Sequence, residues 1–312
     1  MSTPETVIAK LREADTAFAG MFSQRMANGL FTGLFREVPT TAGQYAKIAG
    51  LYPVGEMEDA KGTANVDGLD AAEYLLKTKG RRYTGGIEHE ILMTGDSAFE
   101  GEVSRQIMLS SEIIACDIEK RMTAIVEAGD TDNDIFGSPF FDDVKTIPGT
   151  AISFNNERSG AWTGSATEVR SAVFEGLEAF DEMRNSMNCR VHATPEEGGP
   201  QFVLMYHPSV REFVMDALNP ELSNDAARLD ALGVVGQYNP YLTDPDDMYL
   251  FVVDPVYTPF VLAKRGEAEF RSTLGNINEY NVIMENTHLW QPYYAAEVGY
   301  GSSFSGIKLV DA

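Results

Sequence analysis

Asp130, Asp132 and Asp134 alternate through a turn-rich stretch as the first ligands of a calcium loop do. Such a loop needs glycine at its sixth position and a bidentate glutamate at its twelfth, and here these are Ile135 and Phe141. The sharp turn and the last ligand are missing, so a solvated acidic loop is the better account. Cys189 and His192 have a metal-like spacing, but no second pair follows to complete a tetrahedral site. His89, His207 and His288 stand in separate segments, and His89 and His207 flank the ends of expected elements, where a structural role is the plainer reading. There is no Walker loop, no G-x-S-x-G elbow and no H-E-x-x-H pair. Gly299-Tyr300-Gly301 lies too near the C-terminus to open a dinucleotide-binding unit and lacks the third glycine. Acids are abundant without any pair standing out as a catalytic couple. No catalytic residue, cofactor or metal ligand is assigned. A soluble hydrolase working through scattered carboxylates and histidines stays open as one alternative.

A different chemistry is concentrated in EYLLKTKGRRYTGGIEHEIL (73–92), where Lys77, Lys79, Arg81 and Arg82 crowd together. Two strand-like runs flank Lys79-Gly80-Arg81, and Gly85-Gly86 suggests a bulge or tight turn on the return. The expectation is a hairpin with a basic tip, too poor in large side chains to be stable alone. In a chain of 24 basic and 47 acidic residues, net charge −23, such a tip suits the acidic surface of a partner.

The elements that must carry these residues are mixed. Ser97 with Glu100 forms a capping-box start, and Gly129 is expected to supply a left-handed stop. Between them Val103, Ile107, Ile114, Ile118, Met122 and Val126 recur mainly at four-residue steps, widened by Ile113 and Ile125. A helix from Ala98 to Ala128 would span about 46 Å, roughly three times an average globular helix. Before it, Val7, Leu11, Phe18, Phe22, Met26, Leu30 and Phe31 suit an amphipathic helix, packed on its own domain or serving as an arm that reaches a neighbour. After it comes DTDNDIFGSPFFDDVKTIPG (130–149), a turn-rich loop anchored by Phe140 and Phe141.

Ser165 with Glu168 starts a second helix bearing Val169, Val173, Leu177, Phe180, Met183 and Met187. Cys189–His192 and Gln201–Tyr206 are expected strands around EEGGP. Pro208 opens a helix carrying Val210, Phe213, Val214 and Leu218, stopped at Asn219-Pro220. Met248–Val253, Phe260–Arg265 and the aromatic-rich 282–301 segment complete the strands. Without a regular βαβ alternation the class is α+β.

The 312 residues, 44% apolar, suffice for one large domain or two. The first fifty residues hold five basic and four acidic side chains, so nearly all the excess acid lies beyond them. That balance disfavours sequence-reading nucleic-acid binding and favours solubility, with a salt-rich habitat as another source of acidity. Two cysteines make no disulfide framework and point to a reducing cytoplasm. Neither a secretory signal nor a membrane span is expected.

The order of these segments resembles the major head protein of Mu-like tailed phages, and through it the HK97-type capsid fold, over roughly residues 45 to 303. Leu51-Tyr52-Pro53, the return run Tyr83–Ile91 and the long helix are similar to that family's extended loop and spine helix. Phe136-Gly137-Ser138-Pro139-Phe140-Phe141-Asp142 is similar to its glycine-x-x-Phe-Phe-Asp loop. Phe202 to Leu218 matches its strand–Pro–helix unit. Met248–Asp254, then Pro259-Phe260-Val261 and Arg265, follow in order. Tyr280-Asn281-Val282, Leu289-Trp290-Gln291 and Gly299-Tyr300-Gly301-Ser302 form the most specific part. The spacer after the Phe-Phe-Asp loop departs from the pattern, and Asn224–Pro245 has no counterpart.

The resemblance implies an N-terminal arm (1–46), an extended β-hairpin loop (47–95), a peripheral domain with the spine helix (96–189 and 254–312) and an axial domain (190–253). It implies a structural protein of the virion, not an enzyme, that self-assembles through hexamers and pentamers in the host cytoplasm. The shell would enclose double-stranded DNA without reading its sequence. No block of about 100 residues precedes the arm as a fused scaffold, so a separate scaffolding protein is expected, with portal and decoration proteins and no membrane. Lys77, Lys79, Arg81 and Arg82 would contact a neighbouring subunit. Arm and loop would be stabilised by other copies rather than by the chain's own interior. A nanocompartment shell of the same fold is a further alternative.

Overall fold

The apolar runs QFVLMY and MYLFVV lack the alternation of a half-exposed strand, and the computed structural model shows why. It describes residues 4–40, 45–53, 69–88, 97–147, 151–160, 165–184, 190–192, 201–272 and 287–311. Helix α1 (Pro4–Ala27) is followed by strands β1 (Phe35–Pro39), β2 (Tyr45–Pro53), β3 (Leu69–Lys77), β4 (Lys79–Arg82) and β5 (Gly85–Glu88). The long helix α2 (Ser97–Glu127) leads to β6 (Lys145–Thr146), β7 (Ser153–Phe154), β8 (Glu157–Gly160) and helix α3 (Ala166–Glu182). Then come β9 (Gln201–Tyr206), α4 (Arg211–Leu218), α5 (Asn224–Ala231), β10 (Val234–Tyr238), β11 (Asp247–Val253), β12 (Phe260–Lys264), β13 (Glu269–Ser272), β14 (Thr287–Tyr300) and β15 (Gly306–Asp311).

One sheet has the order β10-β9-β11-β15-β8, parallel at its two edge pairs and antiparallel between. Its central strands are covered on both faces. Phe202, Leu204, Met248, Leu250 and Val252 pack with Val173, Leu177 and Phe180 of α3. The alternate residues Val203, Met205, Tyr249 and Phe251 pack with Ile114, Ile118, Met122 and Val126 of α2. A strand buried on both sides must be apolar throughout, hence the unbroken runs. Polar termini are satisfied locally: Ser165 Oγ accepts from Glu168 N (3.2 Å) and Ser223 Oγ from Ala226 N (3.0 Å).

The second sheet is built on β14, whose 14 residues hold β12 and β13 along one edge and β4 and β5 along the other. Strand β1 adds in parallel beyond β12. β2 and β3 form a separate antiparallel hairpin in which Tyr45 faces Lys77 and Pro53 faces Leu69.

Several expectations are corrected here. Gly129 is no left-handed stop: α2 passes into a 3₁₀ turn at Ala128–Asp130, and a Cβ on Gly129 would sit 2.5 Å from the Phe141 ring. The second half of α1 does not reach away. Phe18 and Phe22 are buried, Phe18 against Phe270 (5.8 Å) and Phe22 against Tyr294 (5.0 Å). Each buried ring is worth about 1.5–3 kcal/mol, enough to hold the helix on its own chain. Residues 190–253 share their core with α3 and their sheet with β15 and β8. Residues 190–192 form no strand, only an isolated bridge between Arg184 and Arg190. Cys189 and His89 lie outside the described residues. Helix α5 and strand β10 occupy the stretch that had no counterpart.

Candidate assembly surfaces

The four basic residues of the expected tip lie elsewhere. β4 and β5 pair with β14 in one constant register: Lys79 opposite Ala296, Arg82 opposite Tyr293, Gly85 opposite Trp290 and Glu88 opposite Thr287. Tyr83 N donates to Pro292 O (3.3 Å) across the junction, so no turn or bulge intervenes. Gly85 is needed for close approach instead, because a Cβ there would run into the Trp290 indole. Lys77 ends the β2–β3 ladder opposite Tyr45, and residues 54–68 lie outside those described.

The expected location is therefore corrected: Lys77, Lys79, Arg81 and Arg82 form a stripe along the hairpin's foot and the adjoining strand. Lys79 Nζ lies 3.4 Å from Glu297 and Arg81 Nε 4.0 Å from Asp117 of α2. Lys77 stands over the Tyr45 ring. The sequence signal was misplaced because antiparallel partners far apart in the chain cannot be read from local turn residues.

The acidic loop after α2 is built on lysines. Lys145 Nζ, fully buried, is 2.7 Å from Asp134 Oδ2, and it also donates to the Pro139 and Phe140 carbonyls. Asp134 Oδ1 accepts from Phe136 N (2.7 Å). Burial pushes the Lys145 amine below the usual lysine range, against the charge of Asp134. Asp130 is taken by Lys308 (2.5 Å). The Asp130–Asp134 stretch thus faces two different ammonium groups, an arrangement that leaves it structural.

Asn156, wholly buried, pins this loop to the C-terminal segment: its Nδ2 donates to Phe140 O (2.7 Å) and Ser303 O (3.2 Å), and its Oδ1 accepts from Asp142 N (2.9 Å). Phe140 stacks on Tyr300 (4.9 Å). Sequence reasoning picked out both phenylalanines and missed Asn156, which carries no motif.

His192, also buried, bonds Phe304 O through Nε2 (2.7 Å) and faces Asp254 (3.3 Å) through Nδ1. His207 accepts from Ser209 N at the start of the turn before α4. Both are structural placements. Among the described residues no group of His, Cys, Asp and Glu could hold a metal, and no helix is long and apolar enough to cross a membrane.

The α1–α2 contact is polar as well as apolar. Glu119, buried in the middle of α2, accepts two bonds from Arg25 (2.9 and 3.0 Å) and one from Leu30 N (3.0 Å). Exposed apolar side chains include some on the hairpin, on α2 and at the α4–β10 corner, besides Val144, Leu222 and Val256 in the connections. Leu75 on the hairpin is 67% exposed, Met108, Leu109 and Ile113 on α2 are exposed, and Phe213, Met215, Val235 and Tyr238 are exposed on α4 and the edge strand β10. The open depression beside α4 is lined by Pro208, Ser209, Arg211, Glu212, Met215 and Asp216, with no histidine among them. Surfaces of this kind fit contact with other molecules better than chemistry on a small one.

No protein-family model matches the sequence, and no curated protein matches it. Solved structures do. The capsid of cyanophage P-SCSP1u is similar at a TM-score of 0.58 and 12% identity, over 89% of this chain and 86% of that one. The mature capsid of bacteriophage PhiM1 is similar at 0.55 and 11%, over 90% and 86%. A virus-like particle from Pyrococcus furiosus is similar at 0.53 and 8%, over 96% and 99%. Nearly the whole chain takes part, and the fold of this protein is the HK97-type fold of phage capsid subunits.

Proposed function

We propose that this chain is a phage major capsid protein whose copies assemble, through hexamers and pentamers, into a head shell enclosing double-stranded DNA. The observation that carries the reading is the end-to-end likeness to capsid subunits, about nine-tenths of the chain in each phage comparison. The uncovered apolar side chains of the hairpin, α2 and the α4–β10 corner support it, since a chain of net charge −23 needs apolar contact to offset repulsion between copies. Rotationally related copies sharing such heterologous contacts close into rings. Each contact can be modest, because engagement with several neighbours multiplies attachment.

The kinship with Mu-like head proteins rests on the ordered motifs from Leu51-Tyr52-Pro53 to Gly299-Tyr300-Gly301-Ser302. Separate scaffolding, portal and decoration proteins, and assembly in the host cytoplasm, belong to the same reading. So does the division into arm, extended loop, peripheral and axial regions. The protein acts as structure, without catalysis. Negative-stain imaging of the purified full chain tests this: rings or closed shells are expected, and a small discrete oligomer at assembly concentrations would refute it. Shells isolated from the native source should contain DNA; enzyme cargo in its place would select a nanocompartment.

A further inference from the structure

The end of α2, the edge strand β8 and the middle of the five-stranded sheet meet at a cluster of carboxylates that contains Lys308. Lys308 Nζ lies 2.5 Å from Asp130, in the turn that ends α2, and 2.9 Å from Asp247, which opens β11. Its register partner on the parallel neighbour β8 is Glu157. Asp143 faces Glu157 from the loop, while Asp244 and Glu127 stand around Asp247 and Tyr249. Glu127 Oε1 is held by Thr243 N and Oγ1. From α3, packed on β8, Glu182 bonds Arg158 (2.8 Å) and Glu175 lies beside Gly160. Lys308 itself is 7% exposed, so solvent screens the cluster's core poorly.

We propose that this junction is a protonation-sensitive joint: a proton taken up by the Glu157–Asp247 side of the cluster tightens the attachment of the end of α2 to the sheet. One ammonium cannot balance the carboxylates around it, and the surplus charge is relieved by a proton. Burial, followed by the charge of Asp130, pushes Glu157 above the usual carboxylate range; Lys308 opposes this, and Asp143 and Asp247 add to it. Burial raises Asp247 as well, against its bond to Lys308.

A carboxylate whose folded value exceeds its unfolded value contributes stability that is full below the unfolded value and is lost as pH rises through the folded one. Both groups shift in that direction, so the joint is firm in mild acid and looser toward neutrality. Burial disfavours the Lys308 ammonium, but Asp130 and Asp247 outweigh it and hold the lysine above its ordinary range. Its contribution is intact in this window and is lost only in alkali.

The joint is a property of the single chain and does not rest on assembly. Hydrogen exchange of the 306–311 and 247–253 amides in the full-length chain, corrected for intrinsic exchange, tests it between about pH 5 and 7.5. One linked proton changes the opening equilibrium by up to about tenfold per pH unit. The wild type is expected to be several-fold better protected at the acid end, Glu157→Gln to lose most of that difference, and Lys308→Met to steepen it. Protection independent of pH in the wild type, or an undiminished pH response in Glu157→Gln, would overturn the proposal. If Glu157→Gln does not fold, the wild-type and Lys308→Met profiles decide: a Lys308→Met response no steeper than wild type counts against it.

Discussion

Lys145→Met probes the most buried ion pair in the loop that follows α2. Methionine retains the apolar stem and its packing near Phe140, but removes the charge 2.7 Å from Asp134. Leaving one member of a buried pair uncompensated costs about 3–5 kcal/mol. The Pro139 and Phe140 carbonyls also lose the Lys145 donor, adding about 1–3 kcal/mol where no water replaces it. The expected loss, about 4–8 kcal/mol, is a large part of the stability of an ordinary domain, about 5–15 kcal/mol. Asp134→Asn should cost less, about 2–3 kcal/mol, since the amide oxygen still accepts from Phe136 N and burial already favours the neutral amine of Lys145. The double variant should be more stable than the sum of the singles implies, by about 2–3 kcal/mol. Urea unfolding followed by circular dichroism at neutral pH measures all three. Additive losses, or a Lys145→Met variant within about 1 kcal/mol of wild type, would show that the pair does not organise this loop.

Two further outcomes follow from the same contacts. Glu119→Leu removes the acceptor of Leu30 N and of two Arg25 nitrogens, leaving Arg25 only Glu112, so a loss of about 2–4 kcal/mol and faster proteolysis within α1 are expected; unchanged proteolysis would mean that α1 is held by its phenylalanines and the Arg25–Glu112 pair. Lys77→Ser with Arg82→Ser should lower particle yield while leaving a folded monomer, because these two make no ion pair among the described residues, whereas Lys79→Ser with Arg81→Ser should cost the monomer about 0.2–1 kcal/mol per pair. Normal particle yield from the first variant would remove the stripe from the assembly surface.

The local elements were legible because their causes are local. The four-residue recurrence from Val103 to Val126 marks α2, Ser165 with Glu168 marks the start of α3, and the unbroken apolar runs of β9 and β11 mark strands covered on both faces. The ordered motifs, read as a resemblance, pointed to the fold that the structural comparisons bear out. Tertiary structure decided what depends on partners distant in the chain. Lys79 and Arg81 are strand residues and not tip residues because Ala296 and Tyr294, more than two hundred positions away, supply their ladder. Phe18 and Phe22 could have faced a neighbour until Phe270 and Tyr294 provided a surface. Asn156 and Lys308 carry no signal at all, since a buried amide or ammonium gains its meaning only from the carbonyls and carboxylates the fold brings to it. Periodicity and capping act over one or two turns, whereas sheet register and buried polar pairing are settled by where the rest of the chain packs.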